Sequence, residues 1–82
     1  MRTKTYFKKI EAKREKLQAE LEALIAFIEE NAPEACEAGR QHLLSEDTPE
    51  HTAYWEARHL AGGARTNLQG IRYFMDKAGV LK

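Results

Sequence analysis

The sequence predicts an all-α fold, an antiparallel hairpin of two long helices with a short helix at the bend, completed as a bundle by dimerisation. Three observations carry this expectation. First, Phe7, Ile10, Leu17, Leu21, Leu24 and Ile28 recur at alternating three- and four-residue steps, broken only by Arg14. Ala57, Ala61, Ala64, Leu68, Ile71, Met75 and Ala78 do the same. That spacing keeps one side of a helix apolar, as in a coiled-coil seam. Second, charges flank the two ladders in matching order. Antiparallel helices would pair Glu15 with Arg72, Glu22 with Arg65 and Glu29 with Arg58, and each pair of residue numbers sums to 87. Third, proline and turn residues fall where a three-helix layout needs breaks.

The first helix is expected over about residues 5–30, a stretch with no Gly or Pro and rich in Ala, Leu, Glu and Lys. Asn31-Ala32-Pro33 ends it, because proline cannot continue the hydrogen-bond ladder. Pro33 then suits the first turn of a short second helix over about 33–44, with Glu34 and Glu37 near its positive end. Ser45-Glu46-Asp47-Thr48-Pro49 is the next break, with Thr48 as cap and Pro49 opening a third helix over about 49–78. Gly79 follows as a left-handed terminator, with Val80 placed to fold back on Met75.

At the expected register the seam layers alternate large and small. Leu24 faces Ala64, Ile28 faces Ala61, Leu17 faces Ile71, and Leu21 faces Leu68. At the bend, Leu43, Leu44 and Cys36 of the short helix are expected over Phe27, Tyr54, Trp55 and Leu60. Gly62, Gly63 and Gly70 do not fit the hairpin so simply. Glycine inside a helix costs roughly 1 kcal/mol against alanine, so the pair at 62–63 reads either as a break in the third helix or as a smooth packing face.

Eighty-two residues make one domain, 1–82, with little interior of its own. Chains of this size commonly recruit disulfides, a metal or a second copy. The lone Cys36 excludes an internal disulfide and reads as a buried, inert thiol in a cytoplasmic protein. No apolar run is long enough for a membrane span. Net charge is zero but segregated: residues 1–16 hold seven Lys or Arg against two Glu, and residues 17–50 hold nine acids against Arg40 alone. The hairpin therefore has a basic open end and an acidic bend, a field that would orient a charged partner.

Catalysis finds no support. Ser45 is the only serine, and no phosphate loop, nucleophile elbow or inward carboxylate pair occurs. No metal site or cofactor is expected. His51 and His59 lie eight residues apart, about 12 Å along a helix. Glu56-x-x-His59 is one half of a di-metal pattern that needs two such pairs. Lysines near a helix N-terminus oppose the helix dipole, so Lys4, Lys8, Lys9, Lys13 and Lys16 with Arg2 suggest an external anion, and a small dimeric nucleic-acid-binding regulator is the alternative function.

The apolar inventory favours a protein partner. Tyr6, Phe7, Ile10, Tyr73, Phe74, Met75 and Leu81 gather at an open end with no third helix above them. The expected partner-binding residues are Tyr6, Lys9, Lys13, Lys16, Tyr73, Phe74, Lys77 and Leu81: aromatic anchors within a lysine rim. The expected function is non-catalytic and stoichiometric, as an adaptor or inhibitor of a larger protein or nucleoprotein complex. By analogy of size and class alone, such proteins are frequent products of phages and mobile elements.

Overall fold

The computed structural model describes residues 3–42 and 49–81, and its three helices are α1 (Thr3–Asn31), α2 (Pro33–Arg40) and α3 (Pro49–Ala78). The two long helices pack against each other with the short one between them, giving a body 57 Å long and 14 to 19 Å across. The first break falls where the turn chemistry puts it, and α3 opens at Pro49 as expected. Ala32 caps α2 without a side-chain bond, Pro33 opens it, and the Ala32 N–H donates to the Ile28 carbonyl at 2.8 Å.

The far end of α3 closes in a Schellman turn. Gly79 takes φ +71°, its N–H donates to the Asp76 carbonyl, and the Val80 N–H donates to the Met75 carbonyl. The second helix ends earlier than expected, at Arg40 rather than near Leu44. His42 adopts φ +57° and its N–H donates to the Gly39 carbonyl, the same kind of terminator without a glycine. The Thr48 cap, the packing of Leu43 and Leu44, and the charges of Arg2 and Lys82 lie outside the described residues.

Helix α3 runs unbroken through Gly62-Gly63, so the glycines do not divide it. A Cβ at Gly63 or Gly70 would meet nothing within 4 Å, and these two serve no packing inside the chain.

The buried set corrects the expected seam by one position. Ile25 and Ile28 are inside, with Ala32, Ala35, Cys36 and Ala61 beside them, whereas Leu17 and Leu24 are about half exposed. On α3, Ala61 and Met75 are buried while Ala57, Ile71 and Ala78 face solvent. The inner ladder is therefore 7, 11, 14, 18, 21, 25, 28 on α1, facing 58, 61, 65, 68, 72, 75 on α3. Of the four expected layers, Ile28 with Ala61 lies in the core and Leu21 with Leu68 is half-buried. Leu17, Leu24 and Ile71 have turned out.

The short helix accounts for this roll. Trp55 lies directly beneath Gly39, and Ala35 and Cys36 are fully enclosed. Three elements meet at the bend, so both long helices turn their apolar arc toward α2 to share it. A helix turns as a rigid body, so the open end rolls as well, though nothing there receives the exchange. The core consequently sits at the bend, and Met75 is its outlier at the other end.

The roll brings charges inward. Glu11 is buried, bonded by Arg14 Nε at 2.6 Å and Nη2 at 2.7 Å, and from the facing helix by Arg72 Nη1 at 2.9 Å. Arg14 also donates to Gln18. Of the three expected pairs, Glu29–Arg58 forms at 3.0 Å. Arg72 takes Glu11 and Asp76 instead of Glu15, and no Glu22–Arg65 pair forms among the described residues. Glu15 and Glu22 stay exposed on the flank they share with Glu29, and Arg72 is taken by Glu11, which the roll brought into the seam.

Candidate docking surface

Each long helix carries a second three-four ladder, one position around from the first. On α1 it is Tyr6, Ile10, Lys13, Leu17, Glu20, Leu24 and Phe27; on α3 it is Ala57, Leu60, Ala64, Asn67, Ile71, Phe74 and Ala78. At 100° per residue, each ladder lies on the same flank of its own helix. Reversing one helix of a pair also reverses its sense of rotation, so in an antiparallel hairpin these equal flanks share one face. A cleft of about 400 Å³ at the open end bears this out, with Ile10 lining it beside Ile71, Phe74 and Ala78.

Helix α2 lies on the opposite face. It covers Trp55, and Arg40 reaches Glu29 at 3.4 Å from that side. Phe27 and Leu60, expected beneath α2, are instead 62% and 67% exposed. One side of the hairpin thus presents an uncovered apolar stripe running from Phe27 and Leu60 at the bend to Tyr6 and Phe74 at the open end. Scattered surface leucines are ordinary, but a run of large apolar side chains along one face, interrupted only by Lys13, Glu20 and Asn67, is a candidate for docking.

The expected partner-binding residues divide between this stripe and its surroundings. Tyr6, Lys13 and Phe74 belong to the stripe, all exposed. Tyr6 meets Phe7 edge to face at 5.6 Å, and Phe74 meets Tyr73 in the same way at 5.1 Å. Lys9, Lys16 and Lys77 are also exposed but project to the outer edges of the helices, whereas Tyr73, five turns from Trp55, is exposed on the α2 face with the Lys77 ammonium 6.0 Å from its ring. Leu81 is half-buried beyond the Gly79 turn. The structure adds Leu17, Leu24, Phe27, Leu60 and Ile71, which sequence reasoning had assigned to the interior. The signal was present in Phe27 and Leu60, apolar residues on the flank rather than the seam.

A second cleft, of about 360 Å³, lies on the α2 face among Arg40, Trp55, Arg58, His59, Arg65 and Thr66. Its cationic character is partly neutralised, because Arg40 and Arg58 both bond Glu29. The Arg58 bond, opposed by partial burial, holds the Glu29 carboxyl below its usual range. Glu11 titrates lower still. The Arg14 bond, with help from Arg72 and against the cost of burial, lowers it from 4.5 to about 2. These carboxylates stay ionised at neutral pH and are spoken for by arginines, which suits structure rather than proton transfer.

Cys36 is fully buried and unpaired. Among the described residues no group of three His, Cys, Asp or Glu side chains is placed to share a metal ion, and no helix is long and apolar enough to cross a membrane. No family model, curated protein or solved structure matches the chain.

Proposed function

We propose that this chain is a non-catalytic binding module that acts stoichiometrically, as an adaptor or inhibitor docking on a larger protein or nucleoprotein complex. The observation that carries the reading is the apolar stripe on the face opposite α2. Burying a large apolar side chain is worth roughly 1.5–3 kcal/mol relative to leaving it in water, so several such chains held in one plane favour association strongly. The lysines at the edges supply steering: Lys9, Lys16 and Lys77 would draw an acidic surface toward the open end and alter the rate of encounter more than the final affinity.

Retention of a partner from a lysate of the native host tests this, with Leu24→Asp and Phe74→Asp beside the unmodified protein. Both positions are exposed, so both variants should fold while losing the partner. Retention unchanged by either variant would remove the stripe from the function.

The alternative is a small dimeric nucleic-acid-binding regulator using the start of α1. Lys8, Lys9, Lys13 and Lys16 are exposed and in no ion pair among the described residues, which favours it. Binding to random duplex across a salt series separates the two readings. Phosphate contacts give a steep loss of affinity with salt, and no binding at low salt removes the regulator.

A further inference from the structure

We infer that the apolar stripe is self-complementary, and that its first occupant is a second copy of this chain, laid face to face and end to end in a four-helix dimer. The inference rests on the docking reading above and names the partner for that surface.

The stripe on α1 reads as a palindrome. Turned end for end on itself, Tyr6 meets Phe27 and Lys13 meets Glu20, each pair of numbers summing to 33. Between them Ile10 meets Leu24 and Leu17 meets itself, at a sum of 34. Aromatic faces aromatic, aliphatic faces aliphatic, and the two charges face their opposites twice. The stripe on α3 behaves in the same way: Leu60 meets Phe74 and Asn67 meets itself at 134, while Ala64 meets Ile71 at 135. Small again opposes large.

Two palindromes on one face need a shared centre to be realised together, and the hairpin supplies one. Glu29–Arg58 and Glu11–Arg72 fix the level of α1 against α3 at number sums of 87 and 83. Leu17, the centre of one palindrome, therefore lies level with residues 66 to 70, which contain Asn67, the centre of the other. One two-fold axis crossing the hairpin at that level aligns α1 with its copy and α3 with its copy at the same time.

The alternative two-fold, along the hairpin, would lay open end on open end. It sets lysine-rich ends together, so charge selects the end-for-end arrangement. Neither Lys13 nor Glu20 has an ion-pair partner within its own chain among the described residues, and both are exposed.

The stripe from Tyr6 to Phe27 is about 32 Å long and two helices, roughly 20 Å, wide. Two such faces bury on the order of 1,200 Å², the lower edge of the range for stable complexes. A dimer with micromolar dissociation is expected. Lys9, Lys16 and Lys77 project to its outer edges, Tyr73 lies on the α2 face, and all four remain open to a further partner.

Sedimentation equilibrium up to about 100 µM tests the proposal, with the unmodified chain, Lys13→Glu, Glu20→Lys and an equimolar mixture of the two variants. The unmodified chain should sediment at twice its 9.4 kDa mass. Each variant alone places two like-charge pairs across the interface and should dissociate about tenfold more readily. Mixed together they restore both opposite-charge pairs and should recover the dimer. As an independent readout, Leu17→Cys should cross-link to its own copy with a short bismaleimide and Glu15→Cys, on the other flank, should not. Cys36 is fully buried and provides a silent background.

A monomer at every concentration overturns the proposal, as does a dimer whose mixed variants associate no better than either alone. Neither result touches the docking reading, which fails only if stripe variants keep the foreign partner. Conversely, a rescued dimer whose stripe variants still retain that partner would keep this inference and remove that reading.

Discussion

Replacing Gly39 by alanine should loosen the bend, although alanine is the better helix former. Gly39 lies within α2, where alanine would gain roughly 1 kcal/mol of propensity. The added Cβ, however, would stand 2.0 Å from Cδ2 of Trp55, 2.3 Å from Cγ and 2.6 Å from Cε2. Carbon atoms in contact prefer about 3.5–4.0 Å, so the indole or the helix must give way by about 1.5 Å. A fused ring cannot swing aside like the tip of a lysine, and movement of α2 strips cover from Ala35 and Cys36.

Forced overpacking of this kind costs about 1–3 kcal/mol. The clash is at the severe end, so the net loss after the propensity gain should be about 1–2 kcal/mol. For a domain of this size that lowers Tm by roughly 5–15 °C. Trp55 is the only tryptophan, so its emission reports on the same contact and should shift to the red as the ring is uncovered. Gly70→Ala provides the matched control, since its Cβ would enter open space and should raise Tm by about 4–8 °C. Thermal unfolding by circular dichroism, with fluorescence alongside, distinguishes the outcomes. If Gly39→Ala matched or exceeded the parent in Tm with unchanged Trp55 emission, α2 would not lie on Trp55, and the explanation of the helix roll would fail with it.

Adjacent residues test the roll directly: Ile25→Ala should cost about 2–4 kcal/mol and Leu24→Ala less than about 1 kcal/mol in dilute chemical denaturation, and equal costs would place the seam as the simple ladder has it. Glu11→Ala leaves Arg14 and Arg72 without their shared acceptor and should cost about 1–3 kcal/mol by the same assay, whereas a neutral change would mean that the network contributes nothing. Because the folded Glu11 carboxyl is lowered from 4.5 to about 2, its stabilising share is complete above pH 4.5 and disappears as pH falls toward 2. Glu11→Gln should flatten that limb of the stability curve, and an unaltered limb would count against the assignment. In double-mutant cycles to alanine, Glu29 and Arg58 should couple by about 0.5–1 kcal/mol and Glu22 and Arg65 by less than about 0.3 kcal/mol; the reverse order would refute the observed pairing.

Local rules sufficed for the elements of this fold. Pro33 and Gly79 act on the backbone within one turn of themselves, so the breaks they impose are readable without any partner. Antiparallel pairing was readable as well, because Glu29 and Arg58 face each other in the register that charge order implies. The rotation of each long helix about its own axis was not readable. Leu24 and Ile25 are both apolar and adjacent, and periodicity alone admits either at the seam; α2 decides between them by drawing the apolar arc toward Trp55. That choice turned Leu17, Leu24 and Ile71 outward and brought Glu11 and Arg72 in beside Arg14, the one polar break the ladder already held. The aromatic open end could be inferred from Tyr6 and Phe74 by themselves, since nothing in the chain is long enough to cover them. Its continuation along the hairpin as a stripe interrupted only by Lys13, Glu20 and Asn67 exists because a short helix at one end sets the roll of two long ones along their whole length.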